Sequence, residues 1–78
     1  MLYPITDLPE LKQRGDTVFI YTHDNNYYKG AIKNTQGGCI ELYLYHNKIV
    51  KYIEKYTILK IADSENDIRI PDGRYWNG

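Results

Sequence analysis

One cysteine, one methionine, one tryptophan and one phenylalanine are all that these 78 residues hold of those types, and prolines number only three. The lone thiol, Cys39, excludes an internal disulfide and a cysteine-rich zinc site, and it points to a reducing compartment. No base is placed beside it in sequence, so it reads as a small half-buried side chain opening a strand. Net charge is zero, so the strong basic excess of a dedicated nucleic-acid binder is missing. No apolar run approaches the roughly 20 residues that a membrane helix needs. Residues 1–7 carry neither a basic region nor a long apolar stretch and do not read as a signal peptide. A cytoplasmic chain with no membrane contact is the expectation.

The same absences thin out the catalytic classes. There is no Ser-His-Asp set, no closely spaced carboxylate pair, no HExxH and no CxxC. His23 and His46 fall in turns and share no metal-ligand spacing with each other or with Cys39. Gly37 and Gly38 sit in a hairpin loop without the surrounding pattern of a phosphate-binding loop. A β-fold this small offers little room for a deep pocket. The chain is therefore read as a non-enzyme with no cofactor and no metal.

What remains is β-branched and aromatic. Residues 17–22, 26–33, 39–45, 49–53 and 56–61 read as five short strands in a meander, separated by polar or glycine-bearing gaps. In the first, Val18 and Ile20 face one way and Phe19 and Tyr21 the other; both faces are apolar, which predicts cover on both sides. In the second, Tyr28, Gly30 and Ile32 oppose Tyr27, Lys29 and Ala31, and the internal glycine predicts a sharp bend. The third points Ile40, Leu42 and Leu44 inward and Glu41, Tyr43 and Tyr45 outward. Ahead of them, Asp7, Pro9 and Glu10 predict a capping box opening a helix over residues 8–14, with Gly15 as its stop. Leu8 and Leu11 share the face of that helix that plugs a barrel end.

The fold expected is mainly β, a five-stranded small barrel over residues 1–62 with a short N-terminal helix. Residues 63–78 read as an acidic linker and tail, with a turn signal at Pro71-Asp72-Gly73. Either the tail folds back so that Ile68, Ile70, Tyr75 and Trp76 cover a hydrophobic edge, or it docks Trp76 on a partner. A domain of this size buries only about 60–65% of its unfolded surface, and such domains gain stability from oligomerisation or a partner.

Charge is unevenly spread. Residues 12–60 hold eight basic against four acidic side chains, between two ends that are each net acidic. Nine tyrosines are interleaved with these lysines, and alternation sets Tyr27, Tyr43 and Tyr45 on the outward side with Lys29. Three readings of that surface stand open. Rings among lysines suit single-stranded nucleic acid, where stacking contributes about 1–3 kcal/mol per base; Lys29, Lys33, Lys51 and Lys55 would supply the charge. Tyrosine also suits protein interfaces. Cross-strand tyrosine pairs can equally be structural, each contributing roughly 0.2–1 kcal/mol. Near-zero net charge places a protein partner ahead of nucleic acid, with homo-oligomers also open.

Two families share motifs with this chain. Val18-Phe-Ile-Tyr21, the strand Tyr28-Lys-Gly-Ala-Ile32 and Lys55-Tyr-Thr-Ile58 resemble the Sm-like proteins of the bacterial Hfq type, over about residues 8–62. That resemblance implies an RNA-binding ring, with Lys55 and Tyr56 near its pore and the fourth and fifth strands pairing between subunits. Tyr56 stands where that family has histidine, and Gln36-Gly-Gly38 stands where it has an aspartate and an aromatic. Gly15-Asp-Thr-Val18 followed by Asn26-Tyr-Tyr-Lys-Gly-Ala-Ile32 is similar to the Tudor and SH3-like interaction domains, which implies an aromatic binding end on an SH3-like barrel.

Overall fold

In the computed structural model, which describes residues 1–78, the alternating runs form β1 (Val18–Thr22), β2 (Tyr27–Asn34), β3 (Cys39–Leu44), β4 (Ile49–Glu54) and β5 (Ile58–Ala62), after a single helix α1 (Leu8–Arg14). The five strands make one antiparallel sheet in the order β4-β3-β2-β1-β5. β4 and β5 are its two edges and no ladder joins them, so the sheet is not closed into a barrel by strand pairing. A narrow gap lined in part by Thr22, Tyr28, Lys51 and Ile53 separates β4 from the β1–β2 hairpin.

β2 carries the bend. Its first half, Tyr27 to Gly30, pairs with β1, and from Ala31 onward it pairs with β3. Gly30 sits at the hand-over, where a Cβ would lie 2.0 Å from the Tyr43 carbonyl oxygen. Only glycine permits that approach, so the residue that weakens the strand locally is the one that lets the sheet fold over.

The core lies inside the fold, where alternation put it. Val18, Ile20, Ile40, Leu42, Leu44 and Ile61 are buried there, and Leu8 and Leu11 of α1 close one end. Full burial of each such side chain contributes about 1.5–3 kcal/mol. The one buried polar side chain, Thr22, donates its hydroxyl to Asp24. That bond, first among its causes, holds the Asp24 carboxyl below its ordinary value.

Local details differ from the sequence expectation at three places. Helix α1 ends as expected, with Gly15 at φ +74° and its amide bonded to the Lys12 carbonyl, but Asp7 makes no side-chain cap. A 3-10 turn over Ile5–Asp7 precedes the helix and leaves Asp7 at φ −88°, ψ 1°, outside the extended geometry a cap requires. Second, Tyr56 is not in the fifth strand: a 3-10 turn over Lys55–Thr57 joins β4 to β5, tied by the Thr57 hydroxyl donating to the Glu54 carbonyl at 2.7 Å. Third, β3 stops at Leu44, so Tyr45 lies just past its end.

Both chain ends return to the sheet. Leu2 bridges Ala62, and the Tyr3 amide donates to the Ile61 carbonyl at 2.8 Å, which covers part of the β5 edge. The Tyr3 hydroxyl donates to Asp63 at 2.8 Å and accepts from Arg14 at 3.0 Å. Past a 3-10 turn at Glu65–Asp67, Ile68 is buried against Tyr27 and Ala62, and Ile70 and Trp76 pack on the same cluster. The outer face of β1 is thus covered by residues 68–76, as its two apolar faces require.

Candidate interaction surface

Register assembles a surface on the outer side of the β3–β4 half. Tyr43 pairs with Ala31 on one side and Val50 on the other, and Glu41 pairs with Tyr52. Alternation then sets Tyr43, Val50 and Tyr52 on one face. The Tyr43 and Tyr45 rings meet edge to face at 5.7 Å between centroids, and the Lys33 ammonium stands 5.6 Å from the Tyr43 ring. Beside them the Asn34 amide donates to the Glu41 carboxylate at 2.8 Å.

β4 carries three exposed large apolar side chains, more than any other strand. Ile49 is 51%, Val50 41% and Tyr52 65% exposed, and only Ile53 of this strand is buried. β4 pairs with β3 on one side, and no backbone hydrogen bond reaches residues 49–53 from any other element on its free side. Natural edges of this kind are blunted by charge, and Lys51 is the one charge among residues 49–53.

The expected contact residues fall into separate places. Lys33, Tyr43 and Tyr45 belong to the surface just described. Tyr27 is only 5% exposed and lies beneath Trp76, at 5.8 Å between ring centroids. Its phenol is raised from the ordinary value, by burial first. Trp76 itself is half-buried on the outer face of β1, so neither ring is free. Lys29 lines a shallow hollow with Phe19, Tyr45 and His46. Lys51 borders the gap beside the β1–β2 hairpin. Lys55 donates its ammonium to the Thr35 carbonyl and its amide to the Gly38 carbonyl, so it ties the β2–β3 loop to the 3-10 turn. Tyr56, at 76% exposure, borders a groove with Ile5, Leu8 and Pro9, and the neighbouring Glu54 carboxylate, first among the causes, raises its phenol. The four lysines do not form one stripe.

Val50 and Tyr52 were not among the sequence candidates, and they complete the surface that Tyr43 and Tyr45 begin. Their only sequence signal was that residues 49–53 lack a polar face, a feature shared with β1.

No three His, Cys, Asp or Glu side chains come together in a way that would hold a metal ion. No helix is long and apolar enough to cross a membrane. No protein-family model, curated protein or solved structure matches the chain, so its likeness to the Sm-like and Tudor domains rests on the quoted motifs alone.

Proposed function

We propose that this chain is a non-catalytic protein-interaction module, an SH3-like bent sheet of accessory or inhibitor type that binds a protein partner along β4 and the adjoining face of β3. The observation that carries this is the free edge of β4, whose one strand neighbour is β3: Val50 and Tyr52 are exposed on the face of Tyr43 and Tyr45, and Ile49 is exposed beside Leu44. An open edge offers backbone hydrogen bonds to an added strand, and alternate side chains supply specificity. Tyrosine rings at the rim are the anchors such interfaces favour. Dispersal of the lysines, with Lys55 engaged by Thr35, argues for protein ahead of nucleic acid.

Light scattering with and without short single-stranded RNA, at low and moderate salt, is the first test. A monomer or dimer indifferent to RNA is expected, and a stoichiometric complex with a purified partner should be lost in Val50→Lys and Tyr52→Ala while the circular dichroism spectrum is kept. A hexamer or heptamer whose mass shifts with RNA, in a salt-sensitive manner, would replace this reading with the Sm-like one and direct mutation to Lys55 and Tyr56.

A further inference from the structure

The outer face of the β1–β2–β5 half is closed by residues 68–78, and the closure is built like a bound peptide. Tyr21 and Tyr27 stack at 4.7 Å, and the Trp76 indole stands edge-on to Phe19 at 5.0 Å. Past a turn at residues 71–74, where Gly73 has φ +85° and the Arg74 amide donates to the Pro71 carbonyl, the chain runs parallel beside β2. There the Asn77 amide donates to the Tyr27 carbonyl at 2.6 Å, and the Asn77 carbonyl accepts from the Lys29 amide at 3.0 Å. The Asn77 side-chain amide donates to the same Tyr27 carbonyl at 3.0 Å. The Gly78 carbonyl accepts from the His46 amide at 3.1 Å. These bonds fill the notch that β2 leaves open where it turns from β1 to β3. At Gly78 a Cβ would lie 2.2 Å from the Lys29 carbonyl oxygen, so the notch admits no side chain at that step.

Two features set this segment apart from the body of the fold. Its apolar contacts, made by Ile68, Ile70 and Trp76 with Phe19, Tyr21 and Tyr27, form a cluster of their own, distinct from the eleven-residue core on the other side of the sheet. Residues 71–75 between the two anchoring points, Ile70 and Trp76, are exposed throughout. A small satellite cluster joined to the body by a few backbone bonds is the kind of unit that opens locally, below the free energy of global unfolding.

We infer that this face is a second, peptide-binding groove, occupied in cis by residues 74–78, whose ligand is an extended segment of a partner protein bearing an aromatic side chain, then a polar residue, then glycine. The chemistry is set by the seated segment. The ring enters between Phe19 and Tyr27, the next residue trades backbone bonds with Tyr27 and Lys29, and the residue after it has no side chain. Strand addition of this type draws affinity from main-chain bonds and specificity from the pocket. A tethered occupant acts at an effective concentration of about a millimolar, so an outside segment binds only as the tether opens. The groove is centred on the other half of the sheet from the β4 edge and meets the β3–β4 turn at His46.

Trp76 is the only tryptophan in the chain, so in full-length Trp76→Ala a synthetic peptide of residues 72–78 carries the sole indole in the mixture. A saturable blue shift of that indole is expected. Calorimetry should give an affinity for Trp76→Ala at least about tenfold above that for the unaltered chain, where the tether competes. Absence of binding to the folded variant, or equal affinity for both proteins, overturns the assignment. Should Trp76→Ala not fold, hydrogen exchange on the unaltered chain decides. The amides of Lys29, His46 and Asn77 should exchange at least about tenfold faster than those of the β1–β2 and β2–β3 ladders, through an opening insensitive to low denaturant. Equal protection of both sets would make the segment part of the core and overturn the inference. A mass that doubles with protein concentration while those three amides stay protected would assign the groove to a second copy and overturn the partner segment.

Discussion

At Gly30 the absence of a side chain decides the course of the sheet. Its Cβ position is taken by the Tyr43 carbonyl, so Gly30→Ala must push β3 away from β2 at the hand-over. A loss of about 1–3 kcal/mol or more is expected from such overpacking, read as a lower urea midpoint at an unchanged slope; an unchanged midpoint would mean that β3 yields freely. Asp63 acts through charge. The Tyr3 hydroxyl, and after it the Met1 ammonium, hold its carboxyl below the ordinary value. A folded-state pKa lower than the unfolded one gives stability that is fully present above the ordinary carboxylate value of about 3.9 and is lost as pH falls through the folded value. Asp63→Asn should therefore lower the urea midpoint more at pH 6 than at pH 3, and so flatten the acid limb measured as the difference between the two. An acid limb identical to that of the unaltered chain would remove Asp63 as a contributor.

Among the elements, β1 and β4 make an instructive pair, because both are apolar on two faces. Residues 68–76 cover the outer face of β1, whereas β4 keeps Ile49, Val50 and Tyr52 in solvent. The two edges of the sheet also differ. Leu2 and Tyr3 bond to the last residues of β5, while β4 has a neighbour only in β3. An exposed apolar edge is a template for pairing, and Lys51 is the charge that opposes it. Lys51→Ile is expected to raise self-association, visible as a concentration-dependent rise in mass by light scattering, while changing monomer stability by no more than about 0.5 kcal/mol, as for other surface changes. A variant that stays monomeric at the highest soluble concentration would show that β4 is protected by something other than this charge. Val50→Lys should act in the opposite sense.

For the molecule as a whole, the sheet folds over one core and carries a second, smaller cluster on its outside. The main core is closed at one end by Leu8 and Leu11, and the gap between β4 and the β1–β2 hairpin remains where strand pairing would have closed a barrel. A chain this short has little surplus burial, so covering the β4 edge with a partner would add apolar burial where the isolated fold has least. Its two candidate contact surfaces are centred on different halves of the sheet and adjoin at Tyr45 and His46, while Val50 and Tyr52 of one and Phe19 and Tyr27 of the other lie apart. Loss of binding at one can therefore be separated from loss at the other.

Much of this was legible in the residues. Period-two alternation located all five strands, placed Ile40, Leu42 and Leu44 in the core and set Tyr43 and Tyr45 outward, because a pleated strand sends neighbouring side chains to opposite faces. Gly15 marked the helix end and Gly30 the bend, since each needs a backbone freedom or a closeness that other residues lack. Strand order was legible only in part: the expected meander holds from β1 to β4, but β5 pairs with β1 and not with β4. Whether a two-faced apolar strand lies under cover or at an edge depends on which distant segment reaches it, and no local pattern records that. For the same reason Tyr27 and Tyr43, alike in sequence and both outward, part company: Trp76, far along the chain, returns to cover one, while nothing returns to cover the surface around the other.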